Sequence, residues 1–193
     1  REVSLRSAKV CSKAIREIGM KITEIDINNM DVNDLIKSKA DICFNALHGD
    51  NGENGSIQGL LNLLKIPHTQ SGVSTSAIAM NKIYFKRILI NATEHSNDPI
   101  YFPKTLQIKR GKKLSVENHT SAYVLKPTNG GSSVGVQIIK EQDKDPHVKN
   151  INYKDLMAEE FVGSRELTVT VLRQKPLCVT EIKTGHNQEF YNY

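Results

Sequence analysis

After Ser4, which suits a helix N-cap, the apolar residues Leu5, Ala8, Cys11, Ala14, Ile15 and Ile18 recur at helical spacing and Gly19 stands at the stop. The pattern predicts an amphipathic helix. Lys21 to Ile27 sets Ile25 and Ile27 against charged neighbours and predicts a strand. Val32 to Lys39 predicts a short helix, and the continuous apolar run Ile42 to Leu47 a buried parallel strand. A glycine-rich loop, His48 to Gly55, follows that strand. Ser56 then suits the cap of a helix through Leu60, Leu61, Leu63 and Leu64, and Ile66 to Thr69 closes the unit as extended chain. Strand, glycine-rich loop, helix is the order in which open α/β sheets place their ligands, so a small parallel sheet flanked by helices is expected here.

Ser74 to Ile90 carries a second helical pattern, with Ala77, Met80, Ile83 and Leu89 on one side. Beyond it the character changes. Asn91 to Pro99 is a polar loop, and the rest reads as strands: Ile100 to Ile108, Ala122 to Leu125, Val134 to Ile139 and Leu156 to Val162. Leu167 to Leu172 then pairs with Leu177 to Lys183 through Gln174-Lys175-Pro176. The fold class is therefore α/β, with an α/β unit preceding an α+β unit and a boundary near Gly72.

Composition narrows the function classes. The chain has 193 residues, 38% hydrophobic and 24% charged, the balance of a globular protein with a real core. No run of about 18 apolar residues is present to cross a membrane. Arg1-Glu2-Val3-Ser4 neither resembles a secretory signal nor begins with Met, so the expected N-terminus lies upstream. Three separated cysteines, Cys11, Cys43 and Cys178, suit small buried hydrophobes in a reducing cytoplasm rather than a disulfide framework or metal cluster. A net charge of +5 fits anionic metabolites such as nucleotides. The densest basic stretch, Lys109-Arg110-Gly111-Lys112-Lys113, has glycine at its centre and no interleaved aromatics; it reads as a solvated turn and not as a nucleic-acid surface.

The most informative chemistry lies in Tyr123-Val124-Leu125-Lys126-Pro127 followed by Thr128-Asn129-Gly130-Gly131-Ser132-Ser133-Val134-Gly135. A strand delivers a lysine beside a Gly/Ser hairpin. Glycines let backbone N–H groups approach an anion, serine hydroxyls add donors, and the lysine supplies a point charge. The GKS/T ending of a Walker A loop is absent. Lys82 offers a second cation. Glu159 and Glu160, with Glu166 after a Gly163-Ser164-Arg165 turn, put carboxylates where an adenine and ribose could be read. The His48 loop adds an imidazole and the Glu53 carboxylate at the carboxyl end of a strand, a site suited to a small zwitterion.

Taken in order, these blocks resemble the D-alanine–D-alanine ligases of the ATP-grasp superfamily. The resemblance runs from Arg1-Glu2-Val3-Ser4-Leu5 through His48-Gly49-Asp50-Asn51-Gly52-Glu53-Asn54-Gly55-Ser56-Ile57-Gln58-Gly59, Ser71-Gly72-Val73 and Ser76-Ala77-Ile78-Ala79-Met80-Asn81-Lys82. It continues through the flap Gly131-Ser132-Ser133-Val134-Gly135 and Gly163-Ser164-Arg165-Glu166-Leu167-Thr168-Val169 to Phe190-Tyr191-Asn192-Tyr193. It implies an ATP-grasp architecture with an N-terminal substrate-binding domain over 1–72, a central lobe over 73–161 and the start of a C-terminal lobe over 162–193. It implies further that Lys82 and Lys126 hold ATP phosphates and that Ser133 closes the flap on them. Glu159, Glu160, Phe161, Val162 and Glu166 would line the adenine and ribose pocket. Ser132 would position the first D-alanine as a catalytic group, with Val3, His48 and Glu53 around it and Tyr191 opening a covering loop.

The implied activity is ATP-driven, Mg²⁺-dependent ligation of two D-alanines through an acyl phosphate, which supplies the peptidoglycan precursor in the cytoplasm. Such chemistry needs cations, in-line geometry and exclusion of water. The resemblance allows a homodimer. Related ligases that make D-alanyl-D-lactate or D-alanyl-D-serine, or a nucleotide-binding module without turnover, are the competing readings. The family's glycine-rich turn and acidic residue before Arg1 are not in this sequence, nor are its later Arg, Mg²⁺-binding carboxylates and catalytic Ser. Asn192 stands where the family usually has Asp. The metal site is therefore expected outside these residues, and the 193 residues alone are expected to be inactive.

Overall fold

The computed structural model describes residues 1–110, 114–116, 121–131, 133–140, 155–163 and 165–183, which fall into two compact units, Arg1–Phe85 and Lys86–Tyr193.

In the first unit the predicted leading helix is α1, Glu2–Glu17. Its stop is a Schellman motif: Gly19, at φ +82°, donates to the Arg16 carbonyl at 2.9 Å and Met20 to the Ile15 carbonyl at 3.3 Å. Ser4 is not the cap. The helix begins before it, with Arg1 at the N-cap, and the Ser4 hydroxyl instead accepts from the His48 backbone N–H. α2, Val32–Ser38, begins with a capping box in which Asp31 and Asp34 each accept from the other's end of the turn. A four-residue α3, Asp50–Glu53, is followed by α4, Ser56–Leu63. Gly55, at φ +99°, is the N-cap of α4 rather than Ser56. A Cβ at Gly55 would stand 2.8 Å from the Val73 carbonyl oxygen, so the turn requires glycine.

The expected parallel sheet is reduced here to one bridge, Cys43 with His68, made by Cys43 N–H to the Pro67 carbonyl at 2.8 Å and Thr69 N–H to the Cys43 carbonyl at 3.2 Å. Residues 21–27 form no strand, and Ile27–Asn29 is a 3₁₀ turn. The run Ile42 to Leu47 is not buried, since Ile42 and Phe44 are 52% and 50% exposed. A strand is defined by its ladder, and these segments find no continuous partner among the described residues. Their apolar side chains still contribute: Ile25, Ile27, Cys43 and Leu47 pack against the core of Leu35, Ile57 and Leu61.

The predicted helix over 74–90 is two helices, α5, Val73–Met80, and α6, Lys82–Thr93. Asn81 breaks them at φ −92°, ψ 104°, and its side-chain oxygen accepts from the N–H groups of Ile83 and Tyr84, both at 3.1 Å. This is an N-cap, and it consumes donors that a continuous helix would pair internally.

The second unit is built on an antiparallel sheet of β1, Thr105–Leu106, β6, Leu156–Glu160, β4, Tyr123–Pro127, and β5, Gln137–Ile139, in the order β1-β6-β4-β5. The register pairs Leu125 with Ala158 and Leu106 with Ala158, so Tyr123, Leu125, Ile139, Leu156 and Ala158 form one apolar face. The alternate residues Val124, Lys126, Met157 and Glu159 share the other face. β2, Ile108–Arg110, and β3, Leu114–Val116, form a hairpin whose loop lies outside the described residues. β7, Glu166–Leu172, and β8, Lys175–Ile182, form the predicted last hairpin. Its connection is Arg173-Gln174 rather than Gln174 to Pro176; both residues take positive φ, 48° and 64°, as a two-residue turn matched to strand twist demands.

Candidate active site

Glu159 lies on β6 with its side chain only 6% exposed. Its neighbours explain why a carboxylate is tolerated there. Lys86 of α6 reaches one carboxylate oxygen, Oε1, at 2.8 Å, and Lys126 of β4 reaches the other, Oε2, at 2.5 Å. Lys86 also donates to the Thr105 hydroxyl at 2.9 Å and to the Pro103 carbonyl. Burial pushes the Glu159 carboxyl up, but the hydrogen bonds and charges of Lys126 and Lys86 outweigh it and hold the group below its ordinary value. Two ammonium groups share one carboxylate, which leaves this cluster with one net positive charge on the face opposite the core.

Lys126 is followed directly by the glycine hairpin that joins β4 to β5. Gly130, Ser133 and Gly135 all take left-handed conformations, at φ +102°, +57° and +76°. Two turn hydrogen bonds shape the tip, from Val134 N–H to the Gly131 carbonyl and from Val136 N–H to the Ser133 carbonyl, each 3.2 Å. A serine held at positive φ is an uncommon conformation that clusters at ligand clamps. Lys126 and Ser133 thus lie on one strand and its hairpin, and Glu159 on the neighbouring strand β6. Glu160, the next residue of β6, occupies the opposite face by alternation, paired in register with Tyr123. Phe161 and Val162 follow as exposed residues, and Glu166 opens β7. Lys82 is the first residue of α6 and half-buried. Ser132 and Tyr191 lie outside the described residues.

The first unit holds a second constellation. His48 is clamped to α1 twice: its backbone N–H donates to the Ser4 hydroxyl at 3.0 Å, and its ring Nε2 lies 2.9 Å from the Ser7 hydroxyl. The Glu53 carboxylate stands 4.0 Å from Nδ1. Val3, one position before Ser4, is half-buried on the same helix. Beneath the loop, Asn45 donates to the Gly52 carbonyl at 3.0 Å and to the Gln70 side chain at 2.5 Å, while its own oxygen accepts from Leu47 N–H at 2.9 Å. Gln58, 1% exposed, donates to the Gly52 carbonyl at 2.9 Å and to Gln70. Gly52 itself has no room for a side chain, since a Cβ would fall 2.4 Å from Leu47 Cβ. This amide network fixes the turn that presents His48 and Glu53.

Ser7, Asn45, Gln70 and Lys86 carry these sites without having been singled out by the sequence, and Ser4 was read only as a helix cap. Gln58 was visible within a signature, and its signal is a polar side chain between Ile57 and Leu61 on a buried helix face. Lys86 gave no signal, because a lysine in an amphipathic helix ordinarily faces water. Among the described residues, no group of three or more His, Cys, Asp or Glu side chains could hold a metal ion.

Residues 28–71 match the family model described as the D-ala D-ala ligase N-terminus, and residues 104–193 match that of the D-ala D-ala ligase C-terminus. The chain belongs to the D-alanine–D-alanine ligase family. It is 42% identical over its whole length to the D-alanine–D-alanine ligase of Zymomonas mobilis, of which it covers 60%, and 38% identical to that of Azorhizobium caulinodans, of which it covers 62%. The chain therefore spans about three fifths of the length of these ligases. A crystal structure of the Bacillus anthracis D-alanine–D-alanine ligase complexed with ATP superposes at a TM-score of 0.76 and 25% identity, over 96% of this chain and 62% of that one. The VanG D-Ala:D-Ser ligase of Enterococcus faecalis superposes at 0.58 and 26% identity, over 80% and 46%. The ligase fold expected from the sequence, ATP-grasp with mixed helix and sheet, is the observed one.

Proposed function

We propose that this chain supplies the amino-acid pocket and much of the nucleotide site of an ATP-dependent ligase that joins two D-alanines, in the cytoplasm, as a step toward the peptidoglycan precursor. The observation that carries the reading is the Lys86, Glu159 and Lys126 cluster at the root of a left-handed Gly/Ser hairpin. A net positive, largely buried face beside glycine-rich backbone donors is suited to a nucleotide's phosphates. Lys126 would hold those phosphates together with Lys82, and Ser133 would close over them. Glu159, Glu160, Phe161, Val162 and Glu166 would line the base and sugar, and Ser132 would help to orient the first amino acid. In the other unit, the His48 imidazole and Glu53 carboxylate offer complementary groups to the ammonium and carboxylate of a small amino acid, with Val3 beside them and Tyr191 in the covering loop.

ATP supplies the energy for amide formation by activating a carboxylate. The protein's own contribution is to bind, to orient and to keep water from the activated group. Mg²⁺ is the expected companion of the phosphates. The described carboxylates form no set for it, so no step is assigned to it here. The likeness to a D-Ala:D-Ser ligase keeps a second amino acid in view as acceptor.

Phosphate release from ATP by the full-length protein tests the reading. Release is expected with D-alanine alone and should fall sharply in Lys126→Ala. Release only when D-lactate or D-serine accompanies D-alanine would reassign the acceptor. Nucleotide binding without release under any of these conditions would leave a binding module.

A further inference from the structure

We propose that Lys86 is a positioning residue for the nucleotide site: it fixes one oxygen of Glu159 so that the other oxygen holds Lys126 in place, and keeps the cluster positive. The inference rests on the nucleotide-site reading above and extends it to a residue that the resemblance leaves without a role. An ammonium has three N–H donors. All three of those on Lys86 meet protein acceptors: the Pro103 carbonyl, the Thr105 hydroxyl and Glu159 Oε1. Its side chain is 12% exposed, against 23% for Lys126. A solvated surface lysine would have neither this burial nor this saturation, and a phosphate ligand would need donors that Lys86 has already engaged. What remains is action through Glu159.

The register shows how the fold builds this arrangement. Thr105 on β1 sits opposite Glu159 on β6, so hydroxyl and carboxylate stand side by side and one ammonium from α6 bridges them. Glu159 then has one oxygen committed to Lys86 and one to Lys126. Without Lys86, both oxygens would be available to Lys126, and carboxylate and ammonium would neutralise each other. The site would lose both its net charge and the fixed direction of the Lys126 side chain.

The test is calorimetric titration of the full-length protein with a non-hydrolysable ATP analogue, applied to Lys86→Met, Lys86→Arg, Glu159→Gln and the double variant Lys86→Met/Glu159→Gln. Thermal melts accompany each to establish folding. Lys86→Met should weaken binding by about tenfold or more, the scale of losing one hydrogen bond to a charged group. Lys86→Arg should stay within about threefold, since a guanidinium supplies charge and enough donors. In the Glu159→Gln background Lys86→Met should change affinity by less than about twofold, because the group it acts through is gone. The double variant leaves no carboxylate oxygen short of its lysine, so it remains informative if Lys86→Met alone does not fold. An equal loss in both backgrounds, or Lys86→Met binding like the parent, would overturn the proposal. If the parent itself bound no analogue, the nucleotide reading would fall first and this inference with it.

Discussion

Glu159→Gln isolates what the buried charge cluster contributes to folding. At N···O distances of 2.8 and 2.5 Å, each Lys to Glu159 contact has a gross attraction of about 6 kcal/mol at an effective dielectric of about 20. Much of that is offset by desolvating three charges and by the repulsion between the two ammonium groups. Glutamine keeps the shape but can accept from only one lysine and presents an N–H₂ to the other. Two largely buried cations then lack an anion, and breaking a buried pair in this way costs about 3–5 kcal/mol. The natural comparison is Glu24→Gln. The Arg16 to Glu24 distance is 2.7 Å, almost the same, but both side chains are more than half exposed, so that change should be lost in the error of the measurement. Amide hydrogen exchange of β4 and β6 reads the sheet directly, without requiring the two units to unfold together. The dependence on pH has a definite sign. Because the folded Glu159 carboxyl lies below its ordinary value of 4.5, its stabilisation is complete above that pH and disappears as pH falls through the folded value. Equal losses for Glu159→Gln and Glu24→Gln would refute the claim that burial, rather than distance, decides the strength of these pairs.

Leu125→Ala, at a fully buried position in the central strand, should destabilise the second unit by about 2–5 kcal/mol in the same exchange experiment, whereas Val179→Ala, on an exposed strand, should change little. Gly52→Ala should cost about 1–3 kcal/mol by urea denaturation because its Cβ collides with Leu47, while Gly72→Ala, at φ −69° with nothing within 4 Å, should be neutral or slightly stabilising. Asn81→Ala removes the N-cap of α6 and should cost about 0.5–2 kcal/mol, with the first-turn amides of α6 exchanging faster.

The parts of the fold that were legible in the sequence are those set by local chemistry. Gly19 ends α1 because a left-handed residue is needed there, and the signal is carried by one residue in its own neighbourhood. The same holds for the Lys126 strand followed by the Gly/Ser hairpin, where glycines announce the turn and alternation announces the strands. Asn81 was harder to read. The apolar period runs on through it, and asparagine on a helix surface looks unremarkable until its side chain is seen to cap the next segment. Residues 21–27 and 42–47 were read as strands, the second as a buried one, and neither forms one; whether a segment becomes a strand depends on a neighbour to complete the ladder, which no local pattern encodes.

Lys86 shows where sequence reasoning reaches its limit and why. Its partner Glu159 is 73 residues away, and its two other acceptors, Pro103 and Thr105, belong to a segment that reads as a strand. Helical spacing assigns Lys86 to a face, but only the register of β1 against β6 brings a hydroxyl and a carboxylate beneath that face at once. The distinction matters chemically. Lys126, beside glycines, could be singled out from sequence as a candidate phosphate cation, although in the structure it too meets Glu159. Lys86 is saturated by acceptors of the chain itself, and under the proposal its effect on a bound phosphate passes through Glu159. A lysine that binds a ligand and a lysine that orients another lysine look alike in a sequence; they are separated by whether removing the intervening glutamate abolishes the effect.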